Sequence, residues 1–370
     1  MQRNSPDALP KALKYKKERG TIMKKLIALL LMLVLTLSAS AFAESETLFW
    51  DMSHEELVEY YLAEANEVVV TDTHVIFTDD SGRGEISIEK NPEKAAILYG
   101  SFACLWTEAG GKVQIGIGGK SNATLYNEQV GRDLAEDEGF KVISESNGGK
   151  KWDVEAIIAE QPDLIVCSMS MNGWEVISGP AMATGIPIIG LQYDNVQDYL
   201  KWFKVFCNLT GHPELWDEIA NATAERIISV VEQIPEVEKA PRVLIFRQTL
   251  KSFGNNCQTG QLVWELGGVN VVETDPVHGM TDSVELSMEE IYALDPDMIL
   301  IPCMNEPGST EKEIQELVGN DPVWNELRAV KEGKVFFIEK GLFHNKPNKD
   351  YRKAYEAMFG YLYPDYELAE

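Results

Sequence analysis

The sequence predicts an α/β protein of two lobes, each a parallel sheet flanked by helices, joined by a long interlobe α-helix. Three observations lead there. Short apolar runs alternate with helical patterns along most of the chain, as expected of strands buried on both faces of a sheet. The pattern occurs twice: residues 154–168 (VEAIIAEQPDLIVCS) and 288–303 (MEEIYALDPDMILIPC) each read as an acidic amphipathic helix, a Pro-Asp turn and a strand. Between the two halves, residues 196–211 and 213–234 carry helical spacing and no strand pattern.

In the first half, residues 95–98 form an apolar run closed by Tyr99-Gly100, and 113–117 a second one ending in Gly118-Gly119. An amphipathic helix over 152–161 leads through Pro162-Asp163 into the run 164–167, and 185–190 (GIPIIG) is a further buried strand. The central stretch has Pro213 near its start and Leu215, Ile219, Ala222, Ile227, Val230 and Ile234 at helical spacing. Pro235 stops it, because a proline disfavours helical geometry in the residue before it. A helix of ~20 residues is ~30 Å long, enough to cross from one lobe to the other as a stiff connection. In the second half, 242–246, 298–302 and 334–338 read as strands, and 259–266, 287–294 and 351–363 as helices. The expected organisation is a signal peptide with an N-terminal extension (1–43), a leader packing on the first lobe (44–93), the first lobe (94–195), a helical connection (196–240) and the second lobe (241–370).

Composition narrows the function. The 370 residues are 45% hydrophobic and include 33 basic against 59 acidic side chains, a formal net charge of −26. Residues 1–43 hold eight of the basic residues and only Asp7 and Glu18, so the head carries +6 and the remaining 327 residues −32. A body this acidic repels phosphate backbones, which argues against a nucleic-acid partner. The head, with Lys24-Lys25, the apolar run 26–37 and Ala41-Phe42-Ala43, has the three parts of a secretory signal peptide cleaved after Ala43. Twelve apolar residues give ~18 Å of helix against a ~30 Å hydrocarbon core, which favours export over anchoring. Met23 directly precedes the lysines, so either Met1 or Met23 can be the start. The expected product is a soluble monomer in the periplasm or extracytoplasmic space. Five cysteines without a C-x-x-C spacing read as small buried groups rather than a disulfide scaffold.

Enzyme signatures fail. Gly119-Lys120-Ser121 resembles the end of a phosphate loop, but Gln114 stands where its first glycine belongs. No G-x-S-x-G occurs, and the five histidines show no metal-ligand spacing. The protein is therefore expected not to be an enzyme and to need no cofactor.

Several ordered motifs resemble the substrate-binding proteins of ABC importers, in the branch that takes up ferric siderophores, haem and cobalamin. They are Thr78-Asp79-Asp80-Ser81-Gly82-Arg83, Asn91-Pro92 leading into residues 93–98, the two Pro-Asp turns, 266–270 (LGGVN) and Asp321-Pro322-Val323-Trp324 followed by 327–335 (LRAVKEGKV). The resemblance implies a ligand held between the lobes, a metal chelate such as a ferric siderophore, corrinoid or haem, and delivery to a permease in the cytoplasmic membrane. It also implies one acidic docking residue per lobe, for which Glu175 and Glu265 stand in comparable places. Direct binding of Zn or Mn is the alternative reading, and an exported α/β enzyme a third.

Ligands of open parallel sheets sit outside the carboxyl ends of the strands. That rule nominates Tyr99, Ser101 and Phe102 after the first strand, Met169, Met171 and Trp174 after 164–167, Arg247 and Phe253 after 242–246, and Met304 after 298–302. His278 and Met280, in a Gly/Pro/Asp loop, are candidates to ligate a haem iron axially, and His344 follows the last strand. Methionines and aromatic rings suit the face of a macrocycle, while Arg247 can pair with a carboxylate. The acidity of the body favours a neutral or cationic ligand over a strongly anionic one.

Overall fold

A computed structural model describes residues 49–146, 152–171, 173–247, 251–272, 283–305 and 307–369. Residues Met1–Asp51 and Met52–Glu370 are separate units. Of the first, a 3-10 turn at Phe49–Asp51 is described; the signal peptide expected at 1–43 lies outside the described residues.

The second unit opens with α1 (His54–Asn66), started by a capping box in which Ser53 and Glu56 satisfy each other's backbone N–H. An antiparallel meander follows: β1 (Val69–Val70), β2 (His74–Thr78) and β3 (Glu85–Glu89). The T-D-D-S-G-R segment is the turn between β2 and β3, and its side chains fasten the meander to the first lobe. The Asp79 carboxylate accepts from the Gly190 N–H at 2.9 Å and from Arg83 at 2.5 Å, while Arg83 donates to the Ile188 carbonyl at 2.8 Å.

The first lobe is a five-stranded parallel sheet. Its strands are β4 (Ala95–Ile97), β5 (Ile115–Ile117), β6 (Lys141–Ser144), β7 (Leu164–Ser168) and β8 (Ile188–Leu191), in the order β6-β5-β4-β7-β8. Helices α2 (Gly100–Glu108), α3 (Lys120–Val130), α4 (Val154–Ala159) and α5 (Gly173–Ala183) connect them. Every residue of β4, β5, β7 and β8 is buried, which is why these strands read as continuous apolar runs rather than alternating ones.

The connection begins with α6 (Val196–Leu209), capped by an Asn195–Asp198 box. Tyr199, Leu200, Trp202, Phe203, Phe206 and Cys207 are all buried, so this helix is enclosed on nearly every side. Fully burying one such apolar side chain contributes about 1.5–3 kcal/mol. Trp216–Asn221 is a π-helical stretch that runs directly into α7 (Ala222–Val231), which packs against α1 and the C-terminal helix. The helix ends at Val231, three residues short of the expected Ile234, because Pro235 bars Ile234 from helical geometry and a tight turn begins before it.

The second lobe contains β9 (Arg242–Ile245), β10 (Lys251–Phe253), α8 (Gln258–Glu265), β11 (Val269–Asn270), β12 (Ser283–Glu285), α9 (Met288–Leu294) and β13 (Met298–Pro302). It continues with α10 (Pro307–Val318), α11 (Pro322–Glu326), α12 (Arg328–Lys331), β14 (Val335–Ile338), α13 (Lys340–Phe343) and α14 (Tyr351–Leu362). The order β11-β9-β13-β14 makes a parallel sheet, and β10-β12 an antiparallel ribbon.

The sequence echo has a structural meaning. In each lobe the aspartate after the turn proline pairs with the residue just before or at the start of the first sheet strand. Asp163 accepts from the Lys94 N–H at 2.8 Å and donates its own N–H to the Lys94 carbonyl at 2.9 Å. Asp297 does the same with Arg242, at 2.8 and 2.7 Å. The residues preceding the two prolines, Gln161 and Asp295, both sit in the left-handed region, at φ 50° and 43°. One device thus sets the register of the first strand against the strand that follows the Pro-Asp turn in both halves.

Candidate binding cleft

Each sheet has a point where its strand order reverses, between β4 and β7 in the first lobe and between β9 and β13 in the second. Loops leaving the carboxyl ends of strands at such points diverge and leave room for a ligand. Two cavities lie there. The larger, about 210 Å³, is lined from the first lobe by Tyr99, Ser101, Ser121, Asn122, Thr124, Leu125, Glu128 and Met171, and from the second by Lys340, His344 and Asn345. The smaller, about 70 Å³, lies among Arg247, Phe253, Cys257, Gln258, His344, Lys346 and neighbouring residues. His344 borders both.

Local structure explains these placements. Tyr99 and Ser101 stand at the β4–α2 junction, with the Tyr99 ring centroid 4.7 Å from that of Phe102. Ser121 and Asn122 are in the first turn of α3, whose entry needs Gly119: at φ 85° a Cβ there would lie 2.2 Å from the Glu145 carbonyl oxygen. Asn122 is buried and donates back to the Gly118 carbonyl at 2.7 Å. The Arg247 guanidinium lies 4.4 Å from the centroid of the Phe253 ring, a cation–π contact. No carboxylate pairs with Arg247 among the described residues, and burial lowers its pKa.

His344 is the most perturbed group of the cleft. Burial, and then the charges of Arg247, Lys340 and Lys346, push its pKa down to about 4. The imidazole is therefore neutral at ordinary pH. Its Nδ1 is buried and finds no partner among the described residues.

Beneath the cavities, the segment after α13 joins the lobes. Asn348 is 0% exposed, in the left-handed region at φ 54°, and donates to the Gln129 side-chain oxygen at 3.1 Å. Its own oxygen accepts from the Tyr193 hydroxyl at 3.1 Å. Gln129 in turn donates to the Lys346 carbonyl at 2.6 Å, and Lys346 pairs with Asp194 at 3.1 Å. Lys349 lies 3.8 Å from Glu108, a buried carboxylate whose pKa burial raises to about 8.

Of the residues expected at the site, Tyr99, Ser101, Met171, Arg247 and Phe253 line a cavity. Phe102 does not; it is buried between Tyr99 and the Tyr193 ring, 6.5 Å away, and supports the wall from behind. Trp174 and Met169 are packing residues. Gly190 has no side chain, and a Cβ there would meet the Met169 sulfur at 2.7 Å and the Trp174 ring at 3.0 Å. Arg83 covers the indole at 4.9 Å. Met304 is 45% exposed and borders neither cavity. His278 and Met280 lie outside the described residues.

The two docking candidates separate sharply. Glu175 is exposed, in the first turn of α5. Glu265 is 0% exposed, and Tyr61 donates to its carboxylate at 2.9 Å, Gln261 at 2.8 Å and Tyr60 at 3.3 Å, with Tyr355 closing the shell. This corrects the expectation for Glu265: a carboxylate walled in by four donors has no face to offer a membrane partner. Its place at the end of an amphipathic helix resembled that of an exposed acid, but it lies on the inward side.

Ser121, Asn122, Thr124 and Glu128 were missed, although a signal for the first two existed. The strand-end rule that nominated Tyr99 applies equally to β5, whose exit is Gly118–Asn122 by sequence. Lys340 and Lys346 carried no such signal, since a lysine beside a strand end ordinarily points to water.

All five cysteines are free, four of them buried and Cys257 partly so, as small apolar groups. Among the described residues no helix is long and apolar enough to cross a membrane.

Comparison with known proteins agrees with this architecture. Residues 107–342 match the family model described as periplasmic binding protein. The high-affinity heme uptake system protein IsdE of Staphylococcus aureus is 26% identical over 131 residues, 35% of this chain and 44% of that protein. The match thus spans less than half the length of that relative. An ABC transporter substrate-binding protein from Listeria monocytogenes superposes with a TM-score of 0.58 at 18% identity, covering 74% of this chain and all of that one. The siderophore-binding protein BauB, solved with ferric iron and two molecules of acinetobactin, superposes with a TM-score of 0.56 at 15% identity, covering 80% of this chain and 100% of that chain.

Proposed function

From the premise that this chain belongs to the periplasmic binding protein family, a family of transport binding proteins and not of enzymes, we propose that it captures a metal chelate between its lobes. It then delivers the chelate to an ABC permease in the cytoplasmic membrane. A ferric siderophore, a corrinoid and haem are the ligand types this reading admits. The observation that carries it is the 210 Å³ cavity at the carboxyl ends of both parallel sheets, lined by side chains of each lobe. A ligand there touches Tyr99 and Met171 on one side and Lys340 and His344 on the other, so its binding energy depends on how the lobes approach. Differential affinity for the closed arrangement then drives closure.

Export by the basic, apolar head is part of this reading, as is docking through Glu175. For direct Zn or Mn binding, no group of three His, Cys, Asp or Glu residues able to hold an ion occurs among the described residues.

Calorimetric titration of the protein with haem, cyanocobalamin, a ferric hydroxamate and a ferric catecholate, beside ZnCl2 and MnCl2, tests the proposal. One of the four chelates binds at one per chain, and the free metals do not. Tight binding of Zn or Mn with no response to any chelate contradicts it.

A further inference from the structure

The charge of the cleft runs against that of the body. Outside its basic head the chain has 57 acidic and 25 basic residues, yet Arg247, Lys340 and Lys346 gather in the second-lobe wall around His344. Among the described residues, two carboxylates border the cavities. Asp194 is already engaged by Lys346 at 3.1 Å and by the Gln192 side chain at 2.6 Å. Glu128 is exposed, in the third turn of α3. Arg247 and Lys340 pair with no carboxylate among the described residues.

His344 adds a fixed donor. Its buried Nδ1 faces no acceptor among the described residues, and an N–H left unpaired in such a place is costly. The tautomer these surroundings favour carries its proton on Nε2, which leaves Nε2–H as the edge able to meet a ligand. Arginine and lysine are donors only. The second-lobe wall thus offers N–H groups and positive charge, whereas the first-lobe wall offers the uncharged Tyr99, Ser101, Ser121 and Met171, with Glu128 at its exposed rim and Asp194 already paired.

We propose that the cleft selects chelates presenting anionic oxygen acceptors, carboxylates or phenolates, to the second lobe, where Arg247, Lys340 and the Nε2–H of His344 receive them. This rests on the chelate-binding reading above and reverses the preference for a neutral or cationic ligand drawn from net charge alone. Net charge acts at long range and is screened within about 10 Å at 0.1 M salt, whereas the half-buried wall acts at contact. Burial, and then the charges of Arg247, Lys340 and Lys346, hold His344 neutral, so the wall keeps its donor pattern across the physiological pH range.

The test is a charge series run at low and high salt: haem and a ferric tris-catecholate as anionic chelates, a neutral ferric trihydroxamate and cyanocobalamin as uncharged ones. The tightest partner is an anionic chelate, and its affinity falls as NaCl rises. Arg247→Gln and Lys340→Gln each weaken it by about tenfold and flatten the salt dependence. Arg247→Lys, which keeps the charge but not the fork, recovers part of both, and thermal melts compare the folding of each variant. A tightest partner that is uncharged, or unchanged binding in both glutamine variants, overturns the inference and leaves chelate capture standing. If no member of the series binds, chelate capture itself falls, and this inference with it.

Discussion

Glu265 and Glu108 are both buried carboxylates at places where one layer of the molecule meets another, and their surroundings are opposite. Glu265 joins α8 to α1 and α14, and four side-chain donors surround it. Glu108 ends α2 in the first lobe, and among the described residues its one ion-pair partner is Lys349 of the second lobe, at 3.8 Å. Its second oxygen finds no hydrogen bond among the described residues. Burial raises both pKa values, but at Glu265 the donors oppose that shift. A carboxylate satisfied on every side behaves as a permanent joint. One that depends on a single lysine across the cleft floor is a joint whose strength follows pH and lobe position.

Substitutions can break this contrast, the strongest first. Glu265→Ala leaves three phenols without their acceptor and opens a cavity, and should cost about 3 kcal/mol or more in urea unfolding. Tyr355→Phe removes one of the four donors and should cost about 2 kcal/mol, since hydrogen bonds to a charged group are worth about 1.5–3 kcal/mol. Equal, negligible losses in both would show that the Glu265 shell is not a joint.

Glu108 acts through pH. Burial raises its folded pKa to about 8, well above the ordinary glutamate value of about 4.5. Between these values the folded state keeps a proton that the unfolded chain has released, so this group makes stability fall as pH rises through the window. Asp198, raised to about 7 by burial, contributes in the same direction. Glu108→Gln should therefore show a smaller drop in urea midpoint between pH 5 and pH 8 than the parent protein. Parallel curves would assign the whole drop to other groups.

The smallest stability effect belongs to the exposed Glu175. Glu175→Arg should change unfolding free energy by no more than about 0.5 kcal/mol and leave ligand affinity intact, while abolishing uptake in cells. Weakened binding in the purified variant would move Glu175 from docking to the ligand.

The contrast also shows what the sequence could and could not reveal. Strands such as 298–302 and 164–167 were legible because full burial on both faces leaves an unbroken apolar run. The Pro-Asp echo was legible because both lobes use the same aspartate to register their first strand. Glu265 was misread because a lone acid in an amphipathic helix carries no mark of the tyrosines it meets, of which Tyr60 and Tyr61 lie about 200 residues away in sequence. The packing of Trp174 was hidden for a related reason: the slot its ring meets is made by the missing side chain of Gly190, on another strand. The cationic wall was hidden because Arg247, Lys340 and Lys346 come together only when β9 and β14 lie in one sheet, with β13 between them.

Capture between the lobes is the claim on which the rest depends, and Met171 gives direct access to it, since it lines the larger cavity without belonging to the buried core. Met171→Trp fills that space with an indole. Titrated with whichever chelate binds the parent protein at one per chain, this variant should keep the parent's melting profile and lose at least about a hundredfold in affinity, near 2.7 kcal/mol. A folded Met171→Trp protein that binds the chelate as tightly as the parent would place the ligand elsewhere and contradict the account.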